Sequence, residues 1–288
     1  MTSPLRAFGA ATLAVLTLGT AACNDDPAPE SSPAPSESPA PTPEEALSEA
    51  LHTLAADPYS AAITVEVEGE RYLEGSMTVL GEDTYTTDTD LRLTNTYELF
   101  ERADIPGVDL EGLKAYLADL SVSTVAVEGE TYHRMAGGPY SLVSDDYADD
   151  TWFHRPSSAR DEFGVAFQIK DAAYTDYAKQ VLAAMQAPEG SPEELTGTLP
   201  VGDPVFDLLL ATYEGVPEAD VPVSVTLDED GRLSDLAFSL AIDEVDFGPV
   251  TLDYRIEVSD WGTEAEIATP EGEVVEGQDL LDHYRDQL

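Results

Sequence analysis

Two hydrophobic periods alternate along most of the chain. Leu47, Ala50, Leu51 and Leu54 recur at helical spacing, and Thr42-Pro43-Glu44-Glu45 ahead of them has the form of a capping box with proline at the first helical position. After Asp57-Pro58 the period falls to two. Ile63, Val65 and Val67 alternate with Thr64, Glu66 and Glu68, and Leu73, Gly75, Met77 and Val79 follow a glycine-containing turn. Residues 85–93 and 96–102 extend this series to four meander strands. Leu110, Leu113, Leu117 and Leu120 predict a second helix. Two further strands fit 121–128 and 130–135 around Glu128-Gly129-Glu130, and 171–185 reads as a third helix aligned through Tyr174, Ala178, Val181 and Met185. Residues 136–170 mix aromatic and charged positions without a period.

The carboxy-terminal third is the most regular part. A short strand fits 195–199, and Asp203-Pro204 opens a helix that ends at Gly215. Val221, Val223, Val225 and Leu227 face Leu236, Phe238, Leu240 and Ile242 across the turn Asp228–Gly231, a hairpin pattern. Val250, Leu252, Tyr254, Ile256 and Val258 form the cleanest alternation, and Ser259-Asp260-Trp261-Gly262 bends the chain towards a last strand near 264–268, with a short helix at 278–286. Antiparallel strands with one polar face, interleaved with amphipathic helices, predict an α+β fold whose helices cover the apolar face.

Charge narrows the function. With 58 Asp+Glu against 13 Lys+Arg, the net charge is −45, although hydrophobic residues still make up 42% of the chain, as in a folded protein. Such a surface repels phosphate backbones and anionic headgroups, which excludes nucleic-acid binding as a primary function and leaves membrane association to a lipid or an apolar anchor. The single cysteine, Cys23, excludes an internal disulfide.

The amino terminus supplies such an anchor. Arg6 is followed by an apolar run that ends in Thr20-Ala21-Ala22-Cys23, short for a spanning helix, which needs about 20 residues. The run resembles a bacterial lipobox whose cysteine receives a diacylglycerol, although Thr20 stands where that pattern most often has Leu. An ordinary cleaved signal also fits the run but leaves Cys23 without a role. Residues 24–43 contain seven Pro and four Ser and no aromatic or branched aliphatic side chain, so they cannot build a core. The expected organisation is a lipoprotein signal peptide at 1–22, a lipidated cysteine with a disordered tether at 23–43, and a single domain at 44–288.

Enzyme chemistry is not evident. The chain has no nucleophile elbow, phosphate loop or zinc helix motif, and His52, His133, His154 and His283 lie in unrelated contexts. No catalytic residue, metal site or cofactor is expected. Asp228-Glu229-Asp230-Gly231 reads as a hairpin turn. Asp145, Asp146, Asp149 and Asp150 form a denser cluster, either a solvated loop or a divalent-ion site.

The stretches VPVSVTLDEDGRLSDLAFSL and VTLDYRIEVSDWGTEAEIATPEGEVV, together with the anchor and tether, resemble the actinobacterial lipoproteins of the LppX/LprG type with a LolA-like fold. That resemblance implies a curved antiparallel half-barrel with helices over a concave apolar face that carries acyl lipids or lipoproteins. It implies a monomer held outside the cytoplasm on the cell membrane. The helix reading DPVFDLLLATY is apolar on almost every side, so Phe206, Leu209, Leu210 and Tyr213 join Val223, Val225, Phe238, Leu240, Leu252, Tyr254 and Ile256 as candidates for a ligand cavity. A filled core satisfies the same pattern. An interaction or sensor module that binds a protein or peptide through the same face is the alternative.

Overall fold

A computed structural model describes residues 40–81, 83–92, 94, 118–156, 158–167, 174–206, 217, 219–244 and 248–287. Twelve strands among them form one sheet. In chain order they are β1 Tyr59–Val67, β2 Glu70–Gly81, β3 Thr84–Leu91, β4 Leu120–Val127, β5 Glu130–Gly137 and β6 Trp152–His154. They continue as β7 Gln186–Gly190, β8 Glu194–Leu199, β9 Val221–Leu227, β10 Leu233–Glu244, β11 Gly248–Ser259 and β12 Val274–Glu276. Among the described residues four α-helices accompany them: α1 Pro43–Ala56, α2 Arg160–Phe167, α3 Tyr174–Ala184 and α4 Gly277–Gln287.

The strand order is β12-β6-β5-β4-β3-β2-β1-β11-β10-β9-β8-β7. Two meanders, one from each half of the chain, meet where β1 pairs with β11. The sheet is curved and unclosed, and with its few helices it makes an α+β half-barrel.

Local chemistry sets the turns. Glu68-Gly69 and Glu128-Gly129 are two-residue loops with positive φ at both positions (52° and 79°, 54° and 83°), the turn whose twist matches that of the flanking strands. The Asp228 carboxylate closes the β9–β10 turn by accepting from the backbone N–H of Asp230 and of Arg232, each at 2.9 Å. Thr42 and Glu45 exchange both bonds of the capping box, so α1 starts where the sequence predicts. Its buried Leu47, Ala50 and Leu54 set it against α3 and the strands β7 and β10. The Trp261 turn ties the ends of three strands together. Its indole N–H donates to the Leu233 carbonyl at 3.2 Å, its ring lies 5.0 Å from Tyr59, and Gly262 N–H donates to the Pro58 carbonyl.

Several expectations are corrected. The sheet is mixed rather than wholly antiparallel, because β12 runs parallel to β6. Residues 263–271 form no strand; the last strand is β12, reached after the extended Pro270 segment. Leu120 does not continue a helical stripe. It opens β4, fully buried opposite Leu91 and Gly137, because its apolar spacing from Val122 serves a strand as well as it served the helix. Strand β7 was not anticipated, since QAPEG has no alternation: its residues are exposed or half-buried at the sheet edge. The predicted strand at 96–102 and helix at 110–117 lie outside the described residues, as do the start of the third helix at 171–173 and most of the helix opened by Asp203.

Candidate functional site

Antiparallel register carries one face of the sheet across both meanders. Reading along the hydrogen-bonding direction, Leu195, Val225, Leu236, Ile256, Ile63, Gly75, Thr89, Val122 and Met135 form a single row through nine strands. A neighbouring row runs Val223, Phe238, Tyr254, Val65, Leu73, Leu91 and Leu120. Nine strands at about 4.8 Å spacing make this inner face about 40 Å wide.

Six of the eleven cavity candidates lie together on this face. Val223, Val225, Phe238, Leu240, Leu252 and Ile256 are contributed by β9, β10 and β11 and are all buried, at 6% exposure or less. Tyr254 joins them half-buried, stacked on Phe238 with ring centroids 4.9 Å apart and planes 8° from parallel. Phe206 is buried in the same core at the start of a helical turn, where the Asp203 carboxylate accepts from Val205 N–H at 2.9 Å. Leu209, Leu210 and Tyr213 lie outside the described residues, and so does Cys23.

The amino-terminal half of the face was missed. Ile63, Val65, Leu73 and Met77 continue it, and their alternation was legible; what the sequence does not show is that β1 pairs with β11 and so merges the two halves. Beyond β2 the face becomes more polar. Thr87, Thr89, Thr124 and His133 are buried there, with Thr124 Oγ1 3.1 Å from His133 Nδ1 and the imidazole stacked on Phe163 at 6.0 Å. The inner face therefore has an aliphatic end at β9–β11 and a polar, aromatic end at β4–β6. On α3, burial and then the charge of nearby Asp176 push the Tyr177 hydroxyl up to about 12, so it stays neutral.

The opposite face is chemically different. Shallow grooves of about 480 and 530 Å³ open on it and share Ala62, Ser76, Asp88 and Glu257 in their linings. Ser123 donates to Asp88 at 2.6 Å, and Ser121 donates to Asp90. Hydroxyls and carboxylates supply much of these linings, unlike the aliphatic inner face. Among the described residues no three or more His, Cys, Asp or Glu converge as a metal site, and Asp146 of the acidic cluster instead faces His283 at 2.8 Å. Among the same residues no helix is long and apolar enough to cross a membrane.

Fold and site together define an unclosed half-barrel whose inner face is aliphatic at β9–β11 and more polar beyond β2. No protein-family model matches the chain, and no curated protein matches it. Among solved structures it is similar to a LolA superfamily protein from Nitrosomonas europaea, at 10% identity over 79% of this chain and 96% of that one, with a TM-score of 0.22. It is also similar to the bifunctional dehydratase-cyclase domain in ambruticin biosynthesis, at 12% identity over 67% of this chain and 97% of that one, with a TM-score of 0.18. Likenesses this loose carry no argument about function.

Proposed function

We propose that this protein is a non-enzymatic, membrane-anchored lipoprotein outside the cytoplasm that binds acyl lipids against the inner face of its sheet. The observation that carries the reading is the aliphatic end of the inner face, where Val223, Val225, Leu236, Phe238, Ile256 and Val65 lie in register on a sheet that does not close on itself, with Tyr254 half-buried among them. Acyl chains are held by apolar area, with few polar groups needed to fix them. The lipobox-like run ending in Cys23 and the Pro/Ser tether support attachment to a membrane that the −45 charge would otherwise repel. The resemblance of the carboxy-terminal third to LppX/LprG-type lipoproteins points the same way.

Two substitutions test the parts separately. Cys23→Ser removes the acceptor thiol and should move the protein out of the detergent phase and abolish incorporation of labelled fatty acid. Equal partitioning of variant and wild type, with no label in either, contradicts the anchor. On the Cys23→Ser background, titration with a fluorescent acyl probe should saturate, and Val223→Trp, at a buried position beside Phe238, should abolish the signal at a cost of about 1–3 kcal/mol from overpacking. A face that is only a filled core instead predicts no probe binding to either protein. A variant that binds no lipid but retains a polypeptide on this face would favour an interaction module.

A further inference from the structure

The carboxy-terminal strap of β12 and α4 is held by one short parallel pairing, by buried apolar side chains of α4 and by a set of charged contacts. β12 contributes three residues, Val274, Val275 and Glu276, opposite Trp152, Phe153 and His154. The next residue, Gly277, sits so close to β6 that a Cβ there would come 2.6 Å from the His154 carbonyl oxygen and 2.9 Å from the Phe163 ring. From this anchorage α4 places Leu280, Leu281 and Tyr284 in the core, with the Tyr284 ring 5.0 Å from Phe167.

On the outer side of this junction a single imidazole bridges two carboxylates from two strands. His154 Nε2 lies 2.5 Å from Glu130 of β5, and His154 Nδ1 lies 3.2 Å from Glu276 of β12. A neutral imidazole has one N–H donor, so it can serve only one of them; the imidazolium has two and serves both. Also nearby are the Tyr132 ring on β5, 5.2 Å from His154, Arg134, which lies over Trp152 at 5.1 Å, and the buried Arg155, next to His154 in the chain. The strap's other basic side chains face elsewhere: Arg285 pairs with Glu162 of α2 and with Asp282, and His283 Nε2 lies 2.8 Å from Asp146.

We propose that His154 is a proton-operated latch that ties β12 to β5 and β6 as the imidazolium and loosens the β12–α4 strap on losing its proton. Burial works against the charge on His154, but hydrogen bonds and attraction from Glu130 and Glu276 outweigh it and raise the pKa above the ordinary value. Both arms of the bridge are therefore made below about pH 6.5, the ordinary histidine value, and one arm is lost as pH rises through the higher folded value.

Hydrogen–deuterium exchange of the full chain at pH 6.0 and pH 8.5 tests this. Peptides covering residues 274–287 are compared with β10 and β11 of the same molecule, which cancels the intrinsic pH dependence of exchange. The strap should lose protection severalfold at pH 8.5. Glu276→Gln should keep it, because a side-chain amide can donate to the neutral Nδ1 while Nε2–H still serves Glu130. His283→Gln should behave as wild type. Equal strap protection at the two pH values in wild type, the same loss in Glu276→Gln, or a loss abolished by His283→Gln would each overturn the proposal.

Discussion

Phe238 of β10 and Tyr254 of β11 stand directly opposite each other, their rings stacked 4.9 Å apart on the inner face of the sheet. The pair occupies the middle of the aliphatic end, between Val223 on one side and Val65 on the other. Phe238 is buried and Tyr254 half-buried, so the two should not be equivalent. Phe238→Ala should cost about 3–5 kcal/mol in denaturant unfolding, within the range for a buried phenylalanine. Tyr254→Ala should cost less. The double-mutant cycle should return a coupling of about 0.5–1.5 kcal/mol beyond area burial; additive losses would mean that the stacking contributes nothing.

Asp228 makes the β9–β10 hairpin sensitive to acid. Burial pushes its carboxyl pKa up, but hydrogen bonds from the Arg232 backbone and side chain and from the Asp230 backbone outweigh this and hold it below the usual range. A carboxylate with a depressed folded value stabilises above its unfolded pKa of about 4 and loses that contribution as pH falls through the folded value. Asp228→Ala should therefore cost about 1–3 kcal/mol near neutral pH, with a smaller difference from wild type at pH 3. The same difference at both pH values would contradict this role.

The β4–β5 hairpin places a glutamate where the turn requires positive φ. Glu128 has φ of 54°, a conformation that costs an L-residue with a Cβ roughly 1–2 kcal/mol and that Asn tolerates better. Glu128→Asn should raise the unfolding midpoint by an amount corresponding to about 0.5–1 kcal/mol. An unchanged or lower midpoint would show that the turn does not limit stability.

Repulsion on the polar face should be measurable as well. Glu66 lies directly opposite Asp253, and Glu74 lies opposite Asp90. Like charges across a strand pair destabilise, and Asp253 faces Glu66 on one side and the uncharged Ser239 on the other, so Asp253→Lys should gain about 0.2–1 kcal/mol at low salt. That gain should shrink as salt is raised, while the melting temperature of the wild type rises. A wild-type melting temperature that ignores salt would contradict the charge distribution.

What the sequence discloses follows from how local each signal is. Alternation alone places β1, β2, β9, β10 and β11, and the capping box places α1 to the residue. The inward positions Val223, Val225, Phe238, Leu240, Leu252 and Ile256 were readable for the same reason, since period two separates the faces before any partner is known. The pairing of β1 with β11 joins residues nearly the whole domain apart, and no local pattern encodes it. Likewise, β6 and β12 are three residues each and too short to show a period, so the His154 bridge between Glu130 and Glu276 appears only in three dimensions. Leu120 shows the converse error, where one apolar residue satisfied a helical stripe and a strand equally well.

Organic extraction of the purified full-length Cys23→Ser chain, followed by mass spectrometry of the extract, tests the central claim most directly. Without the acceptor thiol, any lipid recovered has come from noncovalent binding rather than from the anchor. The account predicts an acyl lipid in near-stoichiometric amount, absent from a parallel extraction of the Val223→Trp variant. An extract free of acyl lipid, from a protein that also fails to take up added acyl probe, would contradict it and leave the inner face as an ordinary filled core.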